Sequence, residues 1–318
     1  MRAVVYDRYG STDSLRVEDV PTPSPAPKQV LVRVAATSIN LSDWETLRGA
    51  PLYSRIGGLR RPARRTLGSD IAGRVEGVGS EVSRFRAGDE VYGDNLDLKG
   101  GFAEFAVAPE SALAHKPKRL TFAEASTIPQ AGAIALQGTA PAGEGRRILI
   151  NGAGGGSGSF AIQLAKRAGA HVTGVDNAGK LDFMRSLGAD EVIDYRRRDF
   201  TRTGERYDLV LDLVASRSPL ACGRALARGG RYWCVGGSVP VLLGMATTGS
   251  IAGRLAGRRM GVLVVRPGPA RFGPLADLCV AGEVAIHIDR TFALDDVPEA
   301  LRHVGEGHAH GKTVVTIP

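Results

Sequence analysis

Cysteine is scarce in this chain of 318 residues: Cys222, Cys234 and Cys279 are the three, and no C-x-x-C spacing occurs. That excludes a disulfide framework and a zinc ribbon, and leaves free buried thiols as the expectation. No uncharged apolar stretch of about 18 residues or more is found, so a spanning helix is not expected. The first residues, MRAVVYDRYGS, lack the long apolar core of a secretory signal and read as a strand. A cytoplasmic protein is the expectation. Internal repeats and low-complexity segments are also missing. Acidic residues are outnumbered, 33 against 41 Lys plus Arg, for a net charge of +8. Such an excess suits nucleic acid or an anionic substrate. No basic stretch is interleaved with aromatics, however, so nucleic-acid binding has little support beyond charge.

What the chain does have is glycine in a telling place. The segment NGAGGGSGSFAIQLAKRAGA, residues 151–170, follows the apolar run RRILI and continues into a pattern of helical period. Strand, glycine turn and helix thus come in the order a phosphate-binding turn requires. Gly152, Gly155 and Gly158 stand three apart, with Gly156 and Ser157 between them. Glycines here let the chain turn tightly, let backbone N–H groups approach a pyrophosphate, and seat the helix against the sheet. Asp176 closes the next apolar run, HVTGV, where a ribose-binding acid is expected.

Around this turn the chain changes character twice. Residues 1–118 read as short strands separated by glycine and proline, which suits a bent, partly barrel-like β domain. From 119 to 255 strands alternate with helices, as in a doubly wound parallel sheet. Residues 256–318 read as a return to the first domain. The fold class expected is α/β: a Rossmann domain at 119–255, and a β domain from 1–118 and 256–318.

The segments SINLSDW, TLGSDIAGRVEGVG, FRAGDEVYG, GGFAEF, ILINGAGGGSGSFAIQLAK, SLGADEVIDY and GKTVV, in that order, resemble the medium-chain dehydrogenase/reductase superfamily over nearly the whole chain. The resemblance implies a GroES-like β domain beside the Rossmann domain. Zinc alcohol dehydrogenases of that superfamily place catalytic ligands in a Cys-x-Ser-Asp segment, a Gly-His-Glu segment and a cysteine near the domain junction. The matching positions here hold Asn40, Ser69 with Asp70, and Gln130, so no metal site is expected. The chain is instead similar to the zinc-independent, zeta-crystallin-like quinone oxidoreductases and enone reductases. That similarity implies hydride transfer from NAD(P)H to a quinone or an α,β-unsaturated carbonyl, a small-molecule substrate, and a homodimer. It makes Asn40 the first candidate to polarise the carbonyl and Tyr53 the second. Leu41-Ser42 replaces the usual Pro-Val, and Ser42 falls where the zinc enzymes carry a proton-relay hydroxyl. The other reading is that Asn40, Ser42 and Asp43 cap a helix beginning at Trp44. A metal-free alcohol dehydrogenase or carbonyl reductase using Ser42, and a cofactor-binding protein without turnover, stay open as alternatives.

The choice between NAD(H) and NADP(H) also stays open. Asp176 favours NAD, because its carboxylate would repel a 2′-phosphate, whereas Lys180 and Tyr195 match positions that reach that phosphate in related NADPH enzymes. Lys180 also stands at i+4 from Asp176, where it can pair with it. Arg266, after GVLVV, matches a segment near the nicotinamide in related proteins. The stretch RIGGLRRPARR (55–65) holds five arginines suited to an anionic group or to plain solvation, and His303, His308 and His310 read as surface histidines.

Overall fold

The structure is a computed structural model and describes residues 1–56 and 58–318; Gly57, within the arginine-rich stretch, lies outside the described residues. The chain forms two compact units, Met1–Ala133 with Arg266–Pro318, and Ile134–Val265. These divisions fall some way beyond the 118/119 and 255/256 boundaries expected from sequence. The helix Phe122–Ser126 packs on the strands of the first unit, which carries that segment into it.

The first unit is built on the ten-residue strand Gln29–Ser38, whose alternating apolar residues Val30, Val32 and Val34 are buried. It pairs with Asp70–Val78, with Phe105–Pro109 and with the C-terminal strand Lys312–Thr316 in a seven-stranded sheet. Asp70–Val78 pairs in turn with Glu90–Asp94, and this pairing sets Asp70 directly opposite Asp94. After Gln29–Ser38 the chain enters the helix Leu41–Arg48, which starts three residues before the expected Trp44 because Asn40, not Asp43, is its N-cap. The Asp43 carboxylate closes that cap by accepting the Asn40 N–H at 3.0 Å. A second helix, Val297–Gly305, lies on the first so closely that a Cβ at Gly305 would sit 2.1 Å from the Trp44 ring.

The second unit is a six-stranded, all-parallel sheet. Numbered along this unit its strands run 3-2-1-4-5-6, from Glu191–Asp194 at one edge to Arg259–Val262 at the other. This is the doubly wound order of a Rossmann domain. Its first strand, Arg147–Asn151, is buried along Ile148, Leu149 and Ile150, as a central strand covered on both faces must be. The segment 239–255, which carries no clear sequence signal, is helical throughout: Val239–Gly244, a π turn Met245–Gly249, and Ser250–Leu255. Its apolar residues are interrupted by Pro240 and three glycines, which hides the helical period.

Candidate active site

Two clusters of predicted residues form, one in each unit. In the second unit the strand ending at Asn151 turns through Gly152, at φ +83°, into the twelve-residue helix Gly156–Arg167. A left-handed φ is cheap only for glycine. Gly158 is required by packing, since a Cβ there would lie 2.3 Å from the Gly152 carbonyl oxygen. Gly155, the N-cap, differs. Its φ is −89°, and a Cβ would meet only that same oxygen, at an ordinary 3.5 Å. Nothing inside the chain calls for glycine there. The open space is at a helix N-terminus, where an anion is stabilised by unpaired N–H groups and the helix dipole. The turn therefore fits a dinucleotide pyrophosphate, with Gly156, Ser157 and Gly158 forming the first helical turn.

Asp176 is drawn into the same turn. One carboxylate oxygen accepts the Gly154 N–H at 3.0 Å and the other accepts the Asn177 N–H at 2.8 Å, while the Lys180 ammonium lies 3.7 Å away. Both side chains are buried, and the Lys180 stem runs beneath Gly154, where a Cβ would touch its Cδ at 2.6 Å. The two residues whose charges point to opposite cofactors thus compensate each other. Tyr195 stands at the end of the neighbouring strand, about half exposed, with the Arg196 guanidinium over its ring at 5.7 Å.

In the first unit the cluster is built around Asp70. Its carboxylate accepts from Ser38 Oγ at 2.9 Å, Asn40 Nδ2 at 2.8 Å and the Gln130 N–H at 3.0 Å. The Lys312 ammonium, 3.7 Å from Asp70, donates to Asn40 Oδ1 at 2.7 Å. Asn40 Nδ2 also reaches Ser69 Oγ at 3.3 Å. Every polar atom of the Asn40 amide therefore has a partner within the unit. Ser42 Oγ donates to Gln130 Oε1 at 2.9 Å, and Gln130 Nε2 donates to Ser69 Oγ at 3.3 Å. Asn40, Ser42, Ser69, Asp70 and Gln130 are thus one network. Burial pushes the Asp70 carboxyl up and the Lys312 ammonium down, and their mutual attraction opposes both shifts. Asp43 is fully buried below, 3.8 Å from the Lys99 ammonium.

Tyr53 lies in a short 3-10 turn, Leu52–Arg55, with its hydroxyl 3.5 Å from Glu45 Oε2. Burial raises the Glu45 carboxyl above its ordinary range. Arg266 begins the return to the first unit. The histidines differ from expectation in one respect: His303 is not a surface residue but sits in a helix with its ring 2.6 Å from Asp289 on the adjacent strand. No group of three or more metal-ligating side chains is found among the described residues.

Four members of the cluster were not singled out from sequence, the first being Ser38, which opens the SINLSDW segment. Lys312 hides in an ordinary β-branched strand, KTVVT. Asp94 and Lys99 look like surface charges of a turn. Only the pairing of Asp70 with Asp94, a non-local fact, reveals them. Asp94 is the least satisfied: one of its carboxylate oxygens is buried with no hydrogen-bond partner, and burial, aided by Asp70 and Asp43, pushes its pKa up to about 7.

A dinucleotide turn on a doubly wound sheet in one unit, and in the other a polar cluster at the dehydrogenase ligand positions, together define a dehydrogenase/reductase. Comparison with known proteins agrees. Residues 26–118 match the family described as alcohol dehydrogenase GroES-like domain, and residues 187–315 match the one described as zinc-binding dehydrogenase. NAD(P)H oxidoreductase RTN4IP1, mitochondrial, of Bos taurus is 33% identical over 358 residues, spanning 100% of this chain and 89% of that protein. The 2-methylene-furan-3-one reductase of Solanum lycopersicum is 33% identical, spanning 99% and 79%. The solved quinone oxidoreductase of Coxiella burnetii superposes with a TM-score of 0.90 at 28% identity, covering 100% of this chain and 99% of that one. The chain belongs to the medium-chain dehydrogenase/reductase superfamily, in its quinone oxidoreductase branch, and is an NAD(P)H-dependent oxidoreductase. No helix among the described residues is long and apolar enough to cross a membrane.

Proposed function

We propose that this protein reduces quinones or α,β-unsaturated carbonyls with NADPH and without a metal. The observation that carries the reading is the Lys312–Asn40–Asp70 contact. A buried ammonium occupies the neighbourhood in which a zinc enzyme of this superfamily would gather its ligands, and the Asp70 oxygens are already taken by hydrogen bonds. The donor set of amides, hydroxyls and one compensated carboxylate does not fit zinc. A carbonyl reduced by conjugate or quinone addition needs only hydrogen-bond donors for the developing oxyanion. The names of the relatives, a quinone oxidoreductase and a furanone reductase among them, support the same substrate class.

A reduced nicotinamide supplies the hydride when bound. The chain's own part is to hold the pyrophosphate on the N–H groups after Gly155, and to present donors to the carbonyl oxygen. Asn40 is the positioning residue here, its amide fixed by Lys312 and Asp70. Ser42 donates to Gln130 and Tyr53 lies 3.5 Å from Glu45, and we assign these two hydroxyls to the carbonyl oxygen and to delivery of the proton that completes the reduction. Asp43 holds the helix that carries Ser42. NADPH is preferred in this reading because Asp176 is neutralised by Lys180 and turned into the glycine loop, which leaves Tyr195 and Arg196 to face a 2′-phosphate. The edge strand Arg259–Val262, with exposed Leu243, Ile251, Leu255 and Val264 in the same unit, supports a homodimer. Unpaired Cys222, Cys234 and Cys279 support a reducing compartment such as the cytoplasm.

The test is NADPH and NADH oxidation against quinones, enones and simple ketones, with and without a chelator. Turnover of quinones or enones that survives chelation is expected. Turnover of simple ketones alone favours the carbonyl reductase, loss on chelation removes the metal-free reading, and binding without turnover removes both enzyme readings.

A further inference from the structure

The first unit carries a surface that the chemistry above does not use. Within eight residues Leu52, Ile56 and Leu59 are 68%, 84% and 76% exposed, more than any buried-side function explains. They sit on a loop pinned against the N-terminal segment: Tyr9 donates its hydroxyl to the Gly58 carbonyl at 2.5 Å, and the Arg55 guanidinium covers the Tyr9 ring at 4.8 Å. The loop is thereby held with its aliphatic side chains outward. Directly after Leu59 the loop enters the lining of an open groove of about 570 Å³, which Arg60 and Arg61 share with Arg8, Arg16, Asp7 and Asp13. Of these cations the carboxylates compensate Arg16 alone. Asp7 is already paired with Arg16 at 2.5 Å and Arg65 at 2.6 Å, and Asp13 faces Arg302 at 3.8 Å. Arg8, Arg60 and Arg61, with exposed Arg64 next to them, have no acidic partner among the described residues.

We infer that this face docks the protein on an anionic lipid surface, the free guanidiniums binding headgroup phosphates and Leu52, Ile56 and Leu59 entering the acyl boundary. Stable attachment of a peripheral protein takes two signals, apolar insertion and basic charge, and both are present within one loop. A soluble phosphate would account for the arginines and leave three exposed aliphatic side chains unexplained. A second copy would bring the same unpaired cations face to face, which like-charge repulsion opposes. The inference stands apart from the reaction assigned above, although a lipid-dissolved quinone would meet the protein at such a surface.

The experiment is flotation of the full chain with vesicles of phosphatidylcholine alone and of phosphatidylcholine with phosphatidylglycerol, without substrate or cofactor. Binding to the anionic vesicles, at least tenfold weaker to neutral ones, is expected. Arg60→Ser/Arg61→Ser/Arg64→Ser should weaken it by on the order of a hundredfold, about fivefold for each charge near the surface. Ile56→Ser/Leu59→Ser should weaken it by at least about tenfold, by loss of buried apolar area. Both variants should oxidise NADPH with a water-soluble quinone as the native chain does, which shows that they fold. Vesicle binding with no quinone turnover in any of them would remove the proposed chemistry and leave this inference standing. Failure to float, floating unaffected by either variant, displacement by millimolar inorganic phosphate, or preferential capture by polyaspartate would each overturn it.

Discussion

The Lys312 ammonium donates to the Asn40 side-chain oxygen at 2.7 Å while lying 3.7 Å from Asp70, in a site from which solvent is excluded. Two residues far apart in sequence thereby fix the amide that precedes the helix bearing Ser42. Replacing Lys312 by Met leaves the Asp70 charge buried without a cation, and should destabilise the protein by about 3–5 kcal/mol. Lys312→Met combined with Asp70→Asn removes both charges, and should recover at least half of that loss in urea denaturation. If the double variant is no better than the single one, the two charges are not coupled.

The glycine turn separates packing from ligand binding. Gly158→Ala forces a Cβ against backbone, and should lower Tm by more than about 5 °C. Gly155→Ala meets no such obstacle and should cost no more than about 1 kcal/mol as a cap change. Its NADPH affinity should nevertheless fall about tenfold or more, because the methyl group fills space reserved for phosphate. Thermal melts and cofactor titration by fluorescence distinguish the two.

Asp176→Ser tests the way Asp176 is held. Because its carboxylate supports Gly154 and Asn177, its loss should raise KM for NADH and NADPH together, about tenfold for a lost charge-assisted bond. Improvement for NADPH alone would show that the carboxylate faces the ribose instead, as the sequence pattern by itself implies.

Asp94 predicts a pH dependence of stability. Burial beside Asp70 and Asp43 raises its pKa to about 7, and Lys99 and Gln130 offset only part of this. The folded chain therefore holds a proton that the unfolded chain releases near pH 4, so its contribution is greatest in acid and is lost as pH rises from about 4 to about 7. Asp94→Asn should remove that slope, and above pH 7 should be the more stable by on the order of 2 kcal/mol. Denaturation at pH 5 and pH 8 measures it; equal differences at both would place the titration elsewhere.

Much of this was legible in the sequence. The strand-turn-helix at Gly152 and the alternation after residue 119 are local patterns with fixed periods, and they led directly to the Rossmann unit. Asn40, Ser42, Ser69, Asp70 and Gln130 were found by their places in separate motifs, and the structure joins them by hydrogen bonds. What could not be read is what depends on register between distant strands. Nothing near Lys312 marks it as a buried cation, and nothing near Asp94 announces that it will face Asp70. Asp176 and Lys180 were visible as a possible i, i+4 pair, but the turn of their side chains beneath Gly154 was not. His303 was misread for the same reason, its partner Asp289 arriving from another element.

The discontinuous first unit bears on how the protein is made. Residues 134–265 form their unit from one uninterrupted stretch, so the Rossmann sheet can fold while the rest is still on the ribosome. The first unit cannot close so early. Its helix Leu41–Arg48 waits for Gly305 to slide over Trp44, and its longest strand waits for Lys312–Thr316 to pair beside it. Until those residues emerge, Asp70 has hydrogen-bond donors but no counter-charge. A nascent or truncated chain should therefore hold a folded nucleotide-binding unit and an unfinished polar cluster, and chaperones would meet the latter.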